Sequence, residues 1–299
     1  MRYLFTSGLS LILCWLFACR ASTAPADTAQ QVYLLKWRVF EALTASDYAL
    51  ARARIDSLWQ LSAVPTAEMH VLAYLSNHPR ADEFLRSRPD SVRREVCRQL
   101  SDISVAACSE RDTAAVEAVP PSLPEVQRVL VGLYLSDQAK RGNWQEALRR
   151  KYGIDSSEVY LSIGQQILTD RLRALIAAHG YPTRAAVGED GMQAVFILTQ
   201  HADHDPEWQR AQLPRIERAV RRGEVPADNY AYLYDRIQIK IDSTQRYGTQ
   251  FAHVDAAAGI AELYPLRFPD SVDYFRRRYD MMPLPLYRRL MLSSAVGEE

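Results

Sequence analysis

Asp190-Gly191-Met192-Gln193-Ala194-Val195-Phe196-Ile197-Leu198-Thr199-Gln200-His201-Ala202-Asp203-His204-Asp205 is the stretch from which the second half of this chain is read. Its apolar residues recur at helical spacing, so a helix is expected over residues 190–204. That helix runs into two imidazoles, two carboxylates and a carboxamide within six residues. Such groups carry a desolvation cost unless they are partnered, so the end of the helix is where chemistry is to be sought.

Working outward, residues 125–142, 144–152, 157–179, 206–222 and 227–241 show the same helical rhythm, and 270–280 and 286–292 close the chain as two more helices. Arg221 and Arg222 before Gly223 suit a helix C-terminus, where cations meet the dipole and glycine takes the left-handed turn. Residues 249–266 differ: Phe251, Val254, Ile260 and Leu263 around Gly259 predict a small β-hairpin. Upstream, residues 31–43, 48–61, 67–77 and 91–101 are helical segments broken by Pro65, Pro79 and Pro89. Val39, Phe40, Leu43, Ala51, Ile55, Leu58 and Trp59 read as facing sides of antiparallel helices, a helical-hairpin array without a strict repeat. The fold class is therefore mainly α. An N-terminal repeat-like domain (31–112) and a linker (113–124) marked by Pro120, Pro121 and Pro124 precede a C-terminal helical domain (125–299).

The first eighteen residues carry Arg2 and then an apolar run too short to span a bilayer of about 30 Å, which is the pattern of a signal peptide. Leu16-Phe17-Ala18-Cys19 resembles a bacterial lipobox, with Cys19 as the acylated thiol and residues 19–30 as a flexible tether. Ordinary secretion with cleavage near Ala18 is the alternative. The expected location is the cell envelope, periplasmic or surface-exposed, with the membrane as a partner through Cys19. Removing residues 1–18 takes away Arg2 alone, leaving 35 basic against 36 acidic side chains, a balance that argues against nucleic acid as a partner. Cys97 and Cys108 remain, either closing a short loop as a disulfide or lying buried as free thiols.

Five motifs follow one another beyond residue 130. They are Asp137-Gln138-x-x-Arg141; Gly180-Tyr181-Pro182-Thr183-Arg184 with Val187-Gly188; Gln200-His201-Ala202-Asp203; Tyr232-Leu233-Tyr234-Asp235-Arg236; and Gln245-x-Tyr247-Gly248-Thr249-Gln250. In this order, and with Val272-Asp273, Arg276-Arg277 and Pro283-Leu284 behind them, they resemble the bacterial domain-of-unknown-function family sixty-six twenty-four over roughly residues 130–292. The resemblance implies a mostly helical domain and a set of polar positions, and no activity.

On their own chemistry, His201 and His204 stand three apart on one expected helical face, with Asp205 four beyond His201. That face can hold a divalent metal, although a His-x-x-His pair alone leaves a zinc shell incomplete. A hydrogen-bonded pair capping the helix end is the plainer account. General base work by His201, oriented by Asp203 or Asp235, is the third. Arg236 is either half of an ion pair or a ligand contact. Gln245, Tyr247, Thr249 and Gln250, with Gln200, can present hydroxyls and carboxamides to a small molecule or peptide, or can satisfy loop backbone. No Gly-x-Ser-x-Gly elbow, phosphate loop or Gly-x-Gly-x-x-Gly is present, and the cysteines lie outside the polar cluster. Three readings stand: a polar pocket for a small ligand or peptide, a hydrolase or transferase on that pocket, and an interaction module centred on the N-terminal array.

Overall fold

The computed structural model describes residues 26–62, 66–100, 105–109, 120–142, 145–159 and 163–295. The expected signal peptide, Cys19, most of the expected tether and most of the expected linker lie outside the described residues. The described chain divides into two compact units: the residues up to 118 together with Asp280–Leu290, and Val119–Tyr279.

The first unit begins with a helical hairpin, α1 (Ala26–Thr44) and α2 (Tyr48–Leu61). Ser46 turns the chain at φ 56°, and the Asp47 carboxylate accepts the Leu50 N–H at 3.0 Å to cap α2. Helices α3 (Ala67–Leu75), α4 (Ala81–Arg86) and α5 (Asp90–Gln99) follow. Val39, Leu43, Ala51, Ile55, Leu58, Met69 and Leu72 form the core, where the apolar spacing predicts it. Cys97 and Cys108 are joined as a disulfide across a Cα separation of 5.8 Å, so the open alternative resolves in favour of a closed loop. The chain returns to this unit at its other end: Lys36 Nζ meets Asp280 Oδ2 at 2.6 Å, and Tyr33 donates its hydroxyl proton to the Met281 carbonyl at 2.5 Å. Nothing in the local sequence signals this return, so residues 280–290 had been grouped with the motif-bearing half.

The second unit contains α6 (Pro124–Ala139), α7 (Glu146–Lys151), α8 (Gln165–His179), α9 (Arg184–Gln200), α10 (Pro206–Arg221), α11 (Asp228–Asp242) and α12 (Val272–Arg277). Helix α13 (Leu284–Ala295) closes the described chain. Leu130, Leu133, Leu168, Leu172, Met192, Val195 and Leu198 join α6, α8 and α9 in one core; Phe196, Ile216, Leu233 and Ile237 join α9, α10 and α11 in another. Gly188 breaks α9 at φ 64°, a left-handed conformation that favours glycine. The expected β-hairpin is present: β1 (Phe251–Asp255) pairs antiparallel with β2 (Ile260–Leu263) and turns at Gly259 with φ 69°. Fold class is thus mainly α with one two-stranded sheet. The helix expected over 157–179 begins only at Gln165, behind a 3-10 turn at Ser156–Glu158, and that over 270–280 shortens to α12 behind a 3-10 turn at Pro269–Ser271.

One boundary bears directly on function. Helix α9 stops at Gln200, and residues 201–205 form the turn into α10. Pro206 occupies the first turn of α10 and holds Asp205 out of the helical region, while the Asp205 carboxylate accepts the Trp208 N–H at 2.9 Å. His201, His204 and Asp205 therefore do not share a helical face.

Candidate functional site

The motif residues of the second unit resolve into three polar assemblies. The first joins α6 to the end of α9. Asp137 sits on the face of α6 that packs against α9 and is 1% exposed. Its Oδ2 receives His201 Nδ1 at 2.7 Å and the Gln138 amide at 3.0 Å, with Arg141 Nε at 3.5 Å. Burial alone would raise this carboxyl, but the His201 contact, the Arg141 charge and the Gln138 amide outweigh it and hold the group below the usual carboxylate range. His201 caps α9, where the helix dipole favours a cation. Its side chain is 15% exposed, and among the described residues Nε2 has no hydrogen-bond partner. The Gln200 carboxamide, half-buried beside it in sequence, is likewise unbonded among the described residues. Asp137 Oδ1 is buried with no partner among the described residues, so each member of the dyad keeps one polar atom unbonded.

The second assembly is an ion pair. Arg236 of α11 grips Asp203 in a two-point contact, with Nε on Oδ1 at 2.8 Å and Nη2 on Oδ2. Both side chains are partly exposed. The plainer account of Arg236 holds, and Asp203 is committed to that arginine and not to His201.

The third assembly is a buried pin. Asp235 is fully buried and accepts the backbone N–H groups of Arg246 at 2.8 Å, Tyr247 at 3.1 Å and Thr249 at 3.0 Å, together with the Thr249 hydroxyl at 3.0 Å. Burial pushes its carboxyl up, against the downward pull of these four donors. Gln245 completes the loop from inside: its amide donates to the carbonyls of Gln250 and Tyr264 at 2.8 Å, and its oxygen accepts the Gln250 N–H at 2.9 Å. Arg276, 1% exposed, donates to the Tyr247 carbonyl at 2.6 Å. The Gln250 amide donates to Thr249 Oγ1 at 3.1 Å.

These contacts correct several expectations. Asp137, and neither Asp203 nor Asp235, orients His201. Gln245, Tyr247 and Thr249 are buried and spend their polar atoms inside the protein: Gln245 on the loop backbone, the Thr249 hydroxyl on Asp235, and the Tyr247 hydroxyl on Arg246 and Tyr279. The metal set His201, His204 and Asp205 does not assemble: His201 Nδ1 faces Asp137, His204 is exposed in the turn, and Asp205 caps α10 and pairs with Arg173. Among the described residues no three His, Cys, Asp or Glu side chains group as metal ligands. Asp137, quoted in sequence as the head of the first motif, was given no site role; a carboxylate interrupting the apolar stripe of Leu130, Leu133 and Tyr134 was the further signal.

A cavity of about 120 Å³ opens elsewhere in this unit, at the Gly180–Thr183 turn, lined by Leu123, Val126, Tyr181, Pro182 and Val187. His179 and Thr183 also line it, but it holds none of the dyad residues, so its position does not identify the chemistry. Among the described residues no helix is long and apolar enough to cross a membrane.

A family model described as a family of unknown function (DUF6624) matches residues 124–298, and with more than half of its length covered the chain belongs to that family. No curated protein and no solved structure matches the chain.

Proposed function

We propose that this DUF6624 chain is an exported, lipid-anchored envelope protein whose second unit is a hydrolase or transferase, with His201 as general base. One observation carries the reading: an imidazole whose Nδ1 is held by a buried carboxylate at 2.7 Å while its Nε2 is left unbonded at the surface. In this reading Nδ1–H donates to Asp137 and the Nε2 lone pair faces outward. A water or hydroxyl bound at Nε2 would give up its proton there, and the imidazolium so formed would be stabilised by Asp137 and by the end of α9. The Arg141 guanidinium, half-exposed beside Asp137, is available to an anionic or carbonyl oxygen of the substrate. Export is supported by the Leu16-Phe17-Ala18-Cys19 sequence and by the Cys97–Cys108 disulfide, a bond that persists in oxidising compartments.

Purified protein presented with chromogenic acyl, phosphoryl and glycosyl substrates tests the chemistry. At least one class should turn over, His201→Ala should cut its rate by about 10²-fold or more, and Asp137→Asn should do so with little change in KM. Rates identical in wild type and His201→Ala across all classes would refute the assignment. The ligand-binding reading without turnover would then rest on the same unbonded groups, Gln200 and His201 Nε2. For the anchor, Cys19→Ser should move the protein from the detergent phase to the soluble fraction; unchanged partitioning rejects lipidation.

A further inference from the structure

In the loop that supplied most of the expected ligand contacts, one cation has no carboxylate partner among the described residues; its side chain meets only the Tyr247 hydroxyl and aromatic rings. Arg246 is fixed through its backbone, whose N–H donates to Asp235. Its guanidinium carbon lies 4.7 Å from the Tyr234 ring centroid, 5.5 Å from that of Phe275 and 5.9 Å from that of Phe268. Arginine neighbours on the same elements find carboxylates: Arg236 pairs with Asp203 and Arg267 with Asp242. Arg246 pairs with none among the described residues, and its Nε is buried without an acceptor.

The geometry points to Arg246 as the anchor of a second binding site, one that takes a ligand bearing a carboxylate or phosphate. Aromatic rings attract the guanidinium through its faces and hold it flat. A flat guanidinium keeps its N–H edge in the plane, where two parallel hydrogen bonds match the two oxygens of a carboxylate or phosphate. The Tyr247 hydroxyl takes one of the five guanidinium donors, and no carboxylate among the described residues takes the others. The surroundings suit a ligand with an apolar body next to its charge. Phe268 and Tyr274 are 42% and 56% exposed, and both rings adjoin Phe275, at centroid separations of 5.7 and 5.6 Å. Exposed aromatic rings around a single cation are what a small aryl or sugar-borne oxyanion would contact.

The full chain titrated by calorimetry with inorganic phosphate, phenyl phosphate and benzoate, each to ~10 mM at constant ionic strength, tests the site over the millimolar range. At least one should bind saturably, and Arg246→Met, which keeps the aliphatic stem on the rings, should weaken it by about tenfold or more. Arg246→Lys keeps the charge and loses the fork, so it should bind more weakly than wild type. Binding of the phosphates alone assigns a phosphate ligand; binding of benzoate alone assigns a carboxylate. No saturable binding of any of the three overturns the proposal, as does unchanged affinity in Arg246→Met. Should Arg246→Met fail to fold, Arg246→Lys decides: affinity equal to wild type overturns the site.

Discussion

Replacing Asp235 with alanine should be among the most damaging single changes in the second unit, although the residue reads in sequence as a catalytic candidate. The substitution strands three backbone N–H groups and one hydroxyl, those of Arg246, Tyr247 and Thr249. At roughly 1 to 3 kcal/mol per stranded buried group the gross cost is about 4 to 12 kcal/mol. Two effects reduce it. The carboxyl is already pushed up by burial, so deleting it also removes a desolvated charge, and water entering the vacated space recovers some hydrogen bonds. The net cost should be about 3 to 5 kcal/mol, the range found for breaking buried charged networks. Asp235→Asn keeps one acceptor oxygen and the volume but turns an NH₂ toward donors, and should cost about half as much. Asp203→Ala provides the scale: it breaks a partly exposed ion pair and should cost about 1 kcal/mol or less. Urea denaturation of the full chain, read from midpoints at a common slope, gives all three. An Asp235→Ala cost no larger than that of Asp203→Ala would refute the pin and reopen Asp235 as a group facing ligand.

Because Asp137 is held below the usual carboxylate range, the stability it contributes is present above the unfolded value near 3.9 and lost as pH falls through its folded value; Asp137→Asn should flatten the acid limb of the stability curve below about pH 4. His70 is fully buried with neither ring nitrogen bonded, and burial, then the Arg88 charge, lowers it to about 4. The unfolded chain takes the proton near pH 6.5 while the folded one resists it, so stability on the order of 3 kcal/mol should be lost between about pH 6.5 and 4. His70→Leu should abolish that loss in pH-dependent urea melts and cost little at pH 7, since no partner is stranded. Truncation after Tyr279 removes Asp280 and the buried Met281, Met282, Leu284 and Leu286, and should lower the calorimetric transition of the N-terminal helices, at about 1.5 to 3 kcal/mol per buried side chain, more than that of the motif-bearing unit.

Helix existence was legible throughout because it depends on local spacing: Val39, Leu43, Ile55 and Leu58 in one unit, Leu130, Leu133, Val195 and Leu198 in the other, all fall in the cores. The end of α9 was legible too, had Asp205-Pro206 been given its weight. A capping carboxylate before a proline is a start signal, and it moves the helix boundary upstream of both histidines. Partnership was not legible. His201 and Asp137 are 64 positions apart, and Asp235 and Thr249 meet only because α11 and the loop after it fold back on one another.

The same gap explains why the densest polar motif misled. A run of Gln, Tyr, Thr and Gln looks the same in sequence whether it faces a ligand or a buried carboxylate, because residue type reports hydrogen-bonding capacity and not how that capacity is spent. In the structure the loop's capacity is spent largely on Asp235, on Gln245, on its own carbonyls and on the Tyr247 hydroxyl's contacts with Arg246 and Tyr279, and the Arg246 Nε is left a buried donor without an acceptor. The dyad behaves in the opposite way: Asp137 is buried and engaged on one oxygen only, and His201 is engaged on one nitrogen only. A structural network closes its last valences, since an orphaned buried donor or acceptor lowers stability with no return. The open valence at His201 Nε2 supports the proposed general base, and the Arg246 guanidinium without a carboxylate supports the proposed oxyanion site; each position is one side chain away from a test that its folding role cannot answer for it.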